Sequence, residues 1–257
     1  MNGTWKSTRT YEGRRTVAVL AILAAALPLA AQEDARSIIR EVDRRQRVDT
    51  SLTRTVMRIY PDGSNEAEYR EFTIEGFERG DSESYREVLE PRSVKGLRIL
   101  SIGDDAWLYF PSTGRVRKIA GTSRGESVQG IGGDFSYEDL GGGLYDEKYE
   151  FRILSTDARS WVLEGVPRKA GGVYSRLEVT VLKEGYRVSS VDFHTEKDGL
   201  LKTLTFQDYK VLDGRDTATR LVMTNRRKGS RTVVAILSAA YGVPVAEKYL
   251  NPVQFYK

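Results

Sequence analysis

Residues 105–140 read DAWLYFPSTGRVRKIAGTSRGESVQGIGGDFSYEDL. Trp107-Leu108-Tyr109-Phe110 is apolar throughout, and Arg115-Val116-Arg117-Lys118-Ile119 returns as a basic strand. Pro111 and Gly114 bracket the reversal between them, so the two pieces form a β-hairpin. Phe135, Tyr137 and Leu140 follow in a segment long enough for a loop or one helical turn. Glycines flank that segment: Gly130, Gly132 and Gly133 before it, Gly141, Gly142 and Gly143 after it. A hairpin beside a glycine-flanked apolar flap predicts a covered, greasy pocket. No catalytic apparatus is evident in it.

The pattern on either side of this stretch is β. Residues 53–60 and 67–74 read as strands joined by Pro61-Asp62-Gly63-Ser64, and 83–89 and 96–102 follow. Beyond residue 140, strands are expected at 148–155, 160–166, 173–182, 187–194, 200–211, 219–225 and 232–238. Glu184-Gly185, Asp198-Gly199 and Asp213-Gly214 mark reversals. Leu177-Glu178-Val179-Thr180-Val181 alternates apolar and polar side chains, so one face of that strand meets a core. Only 33–48 carries a helical repeat, with Ala35, Ile38, Ile39, Val42 and Gln46 on one side, and it is expected to pack on the sheet. Glu33 and Asp34 suit the positive end of its dipole. The fold class is therefore mainly β (α+β). One strongly curved antiparallel sheet forms an incomplete barrel, with an N-terminal helix and a short helical plug or lid. With few helices to cover it, the apolar face is expected to stay partly open as a cavity.

The 257-residue chain is predicted to divide into a signal peptide, 1–31, and one domain, 32–257. Arg14 and Arg15 precede an uncharged, alanine- and leucine-rich run over 17–31, with small residues before Gln32, which is the pattern of a cleavable secretory signal. The run is shorter than the roughly 20 residues that span a bilayer. Removing it takes away Lys6, Arg9, Arg14 and Arg15 against Glu12, so the +4 of the full chain falls to +1. That balance argues against a nucleic-acid partner. With no cysteine, the chain carries neither a disulfide nor a lipid-attachment thiol. The expected location is the periplasm.

Several motifs invite a chemical role. Gly121-Thr122-Ser123-Arg124-Gly125 matches the G-x-S-x-G nucleophile elbow, but an elbow needs a strand before it and a helix after it. An esterase using Ser123 with His194 is thus the weaker reading, and the protein is read as no enzyme. His194 is the sole histidine, so no metal site and no cofactor are expected. Gly130-Ile131-Gly132-Gly133 lacks the P-loop lysine and hydroxyl, and reads as a hinge. Asp134 reads as the cap of the turn beginning at Phe135. Arg115, Arg117 and Lys118, near Arg124, form a basic patch that is either a solvated strand face or a contact for an anionic headgroup or an acidic partner. Trp107 and Tyr109 share one strand face and are candidates for the cavity wall. Phe135, Tyr137 and Leu140 are candidates for the lid; ordinary core packing is the alternative for all five.

These residues resemble a known family. Trp107-Leu-Tyr109-Phe-Pro111, Arg115-Val-Arg117-Lys-Ile119 and Gly133-Asp-Phe135-Ser-Tyr137-Glu-Asp139-Leu140 are similar to the outer-membrane lipoprotein-sorting family, related to the LolA-like periplasmic lipoprotein carriers. The resemblance implies a half-barrel with helices plugging its open side and a cavity for the acyl chains of lipoproteins or other lipids. It also implies transport toward the outer membrane, only transient membrane contact, and an inner-membrane transporter partner of the resistance-nodulation-division type. A lipid-sensing or adaptor subunit of an envelope complex is the alternative.

Overall fold

The computed structural model describes residues 1–4 and 34–257; the proposed signal segment lies almost wholly outside them. Met1–Gln32 and Glu33–Lys257 are separate units, and residues 1–4 of the first are exposed and irregular. In the second, helix α1 (Ala35–Gln46) precedes a long antiparallel meander. Asp34 caps α1 by accepting from the Ser37 backbone N–H at 2.7 Å, and Arg44 and Arg45 occupy its last turn.

Six strands run β1 (Thr50–Tyr60), β2 (Arg70–Arg79), β3 (Glu83–Glu90), β4 (Arg98–Ile102), β5 (Asp105–Phe110) and β6 (Arg115–Ile119). The small hairpin β7 (Ser127–Val128) and β8 (Gly132–Ser136) comes next, then the one-turn helices α2 (Tyr137–Leu140) and α3 (Tyr145–Lys148). The second half is β9 (Tyr149–Thr156), β10 (Ser160–Pro167), β11 (Arg176–Leu182), β12 (Arg187–Thr195), β13 (Gly199–Leu212), β14 (Arg215–Asn225) and β15 (Ser230–Tyr241). Thirteen of these strands make one sheet in the order β6-β5-β4-β3-β2-β1-β15-β14-β13-β12-β11-β10-β9. Every neighbouring pair is antiparallel, and β1 against β15 joins the two halves. The sheet is open, with β6 and β9 at its edges.

The inner face of the sheet is covered from two ends. At one end Ile38, Ile39 and Val42 of α1 pack on Leu163, Leu177, Val179, Val181 and Val191. Each such aliphatic side chain contributes about 1.5–3 kcal/mol when fully buried. At the other end Val128, Ile131, Phe135 and Tyr137 pack on Met57, Ile59, Phe72, Leu108, Ile119 and Met223. Phe193 and Phe206 touch both clusters and lie between them. The outer face is covered too, near β3 to β5. There Leu250 and Phe255 of the C-terminal segment close over Tyr85 and Leu100, and Tyr249 stacks on Phe77 at 4.8 Å.

Candidate functional site: two chambers on the inner face

Between the helical cover and the hairpin cover, two chambers lie against the inner face of the sheet. The smaller, about 450 Å3, is bordered by the end of α1, the glycine run 141–143 and Phe193, Leu204 and Phe206. The larger, about 660 Å3, rests on Met57, Ile74, Leu221, Val234 and Ile236. Both volumes fall in the roughly 300–1,000 Å3 range of small-molecule pockets. Phe135 and Leu140 border both chambers, as do Arg86, Asp139, Phe206 and Leu221, and form part of the wall where the two adjoin.

The wall is held by buried polar groups that its sequence supplies. Ser136 is the N-cap of α2, and Asp139 reaches back to the Ser136 N–H at 2.6 Å, which completes a capping box. Asp134 therefore does not cap the turn, contrary to the expectation. Its carboxylate instead accepts from Ser230 Oγ at 2.5 Å and Thr232 Oγ1 at 2.8 Å, fastening β8 to β15. Lys202 on β13 forms an ion pair with Asp139 and donates to the Asp134 carbonyl at 3.0 Å. Both members of the pair are 4% exposed. Tyr174 donates to the other Asp139 oxygen at 2.5 Å; burial, then that carboxylate, pushes its phenol well above the ordinary range. At the far end of α2, Arg86 donates to the Leu140 carbonyl at 3.2 Å and pairs with Glu78 at 3.1 Å.

The flanking glycines are packing requirements as much as joints. At Gly133 φ is +82°, and a Cβ would lie 3.0 Å from Ile59 Cδ1 and from Thr232 Oγ1. At Gly142 a Cβ would lie 2.4 Å from the Asp81 carbonyl oxygen, so the run after α2 presses on the β2–β3 turn.

Of the five candidates for wall or lid, Phe135 and Leu140 stand at the chambers. Tyr137 is buried in the core beside them, its hydroxyl accepting from the Gln129 N–H at 3.0 Å. Trp107 and Tyr109 border neither chamber. They lie on the outer face, where Tyr109 stacks on Tyr256 at 5.8 Å and Lys118 sits 5.3 Å over Trp107. Their alternation is as expected, but Ala106 and Leu108 face inward, because the C-terminal segment makes both faces of β5 apolar surroundings. Arg115, Arg117 and Lys118 are exposed on edge strand β6; Arg117 donates to Gln129 at 2.9 Å, and Lys118 pairs with Asp105 at 2.9 Å.

Lys202, Tyr174, Arg86 and the arginines near the chambers were not singled out from sequence. For Lys202 the signal was there: it shares the inward face of its strand with Leu204 and Phe206. Ser123 sits in a 3-10 turn of Gly121–Ser123 rather than at a strand-to-helix elbow, and no hydrogen bond joins it to His194 among the described residues. His194 lies 3.1 Å from the Arg176 guanidinium; burial, then that cation, lowers its proton affinity. Among the described residues no group of three or more His, Asp or Glu is placed to hold a metal ion.

A family profile described only as that of an uncharacterized protein matches residues 80–255. None of the curated proteins matches the chain in sequence. Three solved structures share its architecture. A DUF1329-family protein from Desulfovibrio piger is 24% identical, with a TM-score of 0.76 over 84% of this chain and 95% of that one. A putative outer-membrane lipoprotein-sorting protein domain from Vibrio parahaemolyticus is 27% identical, with a TM-score of 0.74 over 86% and 98%. A LolA-superfamily protein from Nitrosomonas europaea is 20% identical, with a TM-score of 0.71 over 86% and 98%. The profile match shows that the chain belongs to that family of uncharacterized proteins, and the solved structures show that it shares its fold with a lipoprotein-sorting protein domain and a LolA-superfamily protein.

Proposed function

We propose that the protein is a periplasmic carrier that shields lipid acyl chains, free or attached to lipoproteins, on their way toward the outer membrane. One observation carries this reading: the apolar inner face of the sheet borders two chambers of about 450 and 660 Å3. Each methylene moved from water into such a chamber contributes about 0.8 kcal/mol. The sheet is read as an incomplete barrel; in support, Leu108 of β5 and Met223 of β14, far apart in strand order, share one apolar cluster.

Delivery requires a second state of lower affinity, since a ligand moves with the difference between states. We place that change at 135–140, the wall between the chambers. Its displacement would strip Lys202 of Asp139, so a partner must supply interaction energy of about 3–5 kcal/mol. A membrane transporter of the resistance-nodulation-division type, docking on the basic edge strand with Arg115, Arg117 and Lys118, is the proposed source. Vesicle transfer tests the reading. Fluorescent lipid should pass from donor to acceptor vesicles faster with the protein present, and Leu221→Trp, which fills the larger chamber, should abolish the gain. Transfer at the uncatalysed rate would overturn the carrier. Co-purification with a membrane complex without transfer would favour the adaptor.

A further inference from the structure

The larger chamber has a charged rim that an apolar floor does not require. Arg44 and Arg45 at the end of α1, Arg187 of β12 and Arg215 of β14 all border it. Arg44 and Arg45 are 67% and 45% exposed and share one carboxylate, Glu41, at 2.7 and 2.6 Å. Arg187 is matched by Asp216 at 2.6 Å, with Glu184 3.8 Å away. The charges deeper in the chamber are matched as well, Arg86 by Glu78 and Asp139 by Lys202.

Arg215 differs from these. Its Nη2 donates to the carbonyl oxygens of Arg45 and Arg47 at 2.8 and 2.7 Å, and among the described residues it has no carboxylate partner. A guanidinium has five N–H donors. The guanidinium lies 5.2 Å over the Tyr241 ring, and its Nε and Nη1 make no hydrogen bond among the described residues, which leaves single charged N–H donors at the rim. A charged N–H donor of this kind pairs with an oxygen of a carboxylate or phosphate.

The sheet opens at this same rim. β14 and β15 pair from Asn225↔Ser230 as far as Arg220↔Ala235 and no further, although β14 extends back to Arg215 and β15 on to Tyr241. β14 stays paired with β13 through this stretch in one register, from Lys202↔Asn225 to Leu212↔Arg215, with Asp208 at φ +53°. The separated strands β14 and β15 are bridged by Thr217 Oγ1 and Tyr241 Oη, 2.9 Å apart. Thr217, Ala218, Ile236 and Tyr241 line the chamber there, so the gap leads from the arginines to the apolar floor.

We propose that the larger chamber takes a single-chain amphiphile with an anionic head, its chain lying on Met57, Ile74, Leu221 and Val234 and its head held by Arg45 and Arg215 beside the β14–β15 gap. This deepens the carrier reading and rests on it. The chamber then selects by head charge as well as by chain: an uncharged head gains the same burial but leaves the guanidinium without an anionic acceptor.

The test compares palmitate, hexadecanol and inorganic phosphate as ligands of the purified protein. Palmitate is expected to bind at least about tenfold tighter than hexadecanol, the ratio that one charge-assisted hydrogen bond gives. Added salt should narrow the ratio. In Arg45→Gln/Arg215→Gln the two ligands should bind about equally, with hexadecanol unchanged. Ala218→Trp, which narrows the chamber without altering charge, should weaken both alike. Equal affinities for palmitate and hexadecanol in the unaltered protein would overturn the headgroup assignment while leaving the carrier reading intact. Phosphate competing as well as palmitate would reduce the rim to an anion site and overturn the chamber assignment. Binding of neither amphiphile would overturn the carrier reading itself. Should the double arginine variant fail to fold, the palmitate-to-hexadecanol ratio and its salt dependence in the unaltered protein decide the matter.

Discussion

Asp139 and Lys202 hold opposite charges in the interior, and the two residues are not equally replaceable. Asp139→Ala leaves an ammonium buried without its counter-charge and should destabilise the protein by about 3–5 kcal/mol in urea unfolding. Lys202→Met should cost less, because Asp139 keeps its bonds from Tyr174 and Ser136. A larger loss for Lys202→Met would show that the bonds from Tyr174 and Ser136 do not sustain the Asp139 carboxylate without the ammonium. Asp43 offers a pH test. Its carboxylate accepts from the Tyr145 and Asp146 backbone N–H groups at 3.0 and 2.9 Å, yet burial raises its pKa above the ordinary 3.8. A raised folded value means its favourable contribution is complete below about pH 4. That contribution is lost as pH rises through the folded pKa. The stability difference between Asp43→Asn and the unaltered protein should therefore shift in the variant's favour from pH 3 to pH 7, followed by denaturant midpoints at each pH. Neither role was visible in sequence: Asp139 is 63 residues from Lys202, and Asp43 reads as one more polar position on a helix.

α1 and the β8–α2 wall are the elements that leave the chambers between them. Ile39→Ala removes a fully buried side chain from the α1 seam and should cost about 2–5 kcal/mol, read from thermal unfolding. Gly142→Ala forces a methyl against the Asp81 carbonyl, so α2 must shift. Lipid exchange should then be faster and Phe135 more accessible to solvent; unchanged exchange would mean the glycine run has no part in holding the wall. The long elements were legible because their signals are local. Pro111 and Gly114 predict the β5–β6 hairpin, the Gly turns predict the meander, and the apolar repeat predicts α1, which forms over Ala35–Gln46. The hairpin β7–β8 was not legible, since a two-residue strand is too short to show a period. The direction of β5 was lost for a different reason. When both faces of a strand are buried, alternation separates two sets of side chains without saying which set looks inward.

At the scale of the domain, residues 34–257 form an open thirteen-stranded sheet with covers at two ends of its inner face. Its edge strand β6 presents Arg115, Arg117 and Lys118, a charged edge that discourages pairing with another copy. Replacing all three with threonine should raise the tendency to associate, measured by light scattering, with little change in stability. The chambers themselves could be anticipated only as a shortage of helices to cover an apolar face; their division by Phe135 and Leu140 depends on contacts distant in sequence. Whether the chambers hold a lipid is tested most directly by native mass spectrometry of the protein purified from its native source, beside Leu221→Trp. An acyl lipid is expected on the unaltered protein and is expected to be lost from the variant. An unaltered protein that carries no lipid, or a variant that keeps the same one, would contradict the carrier reading.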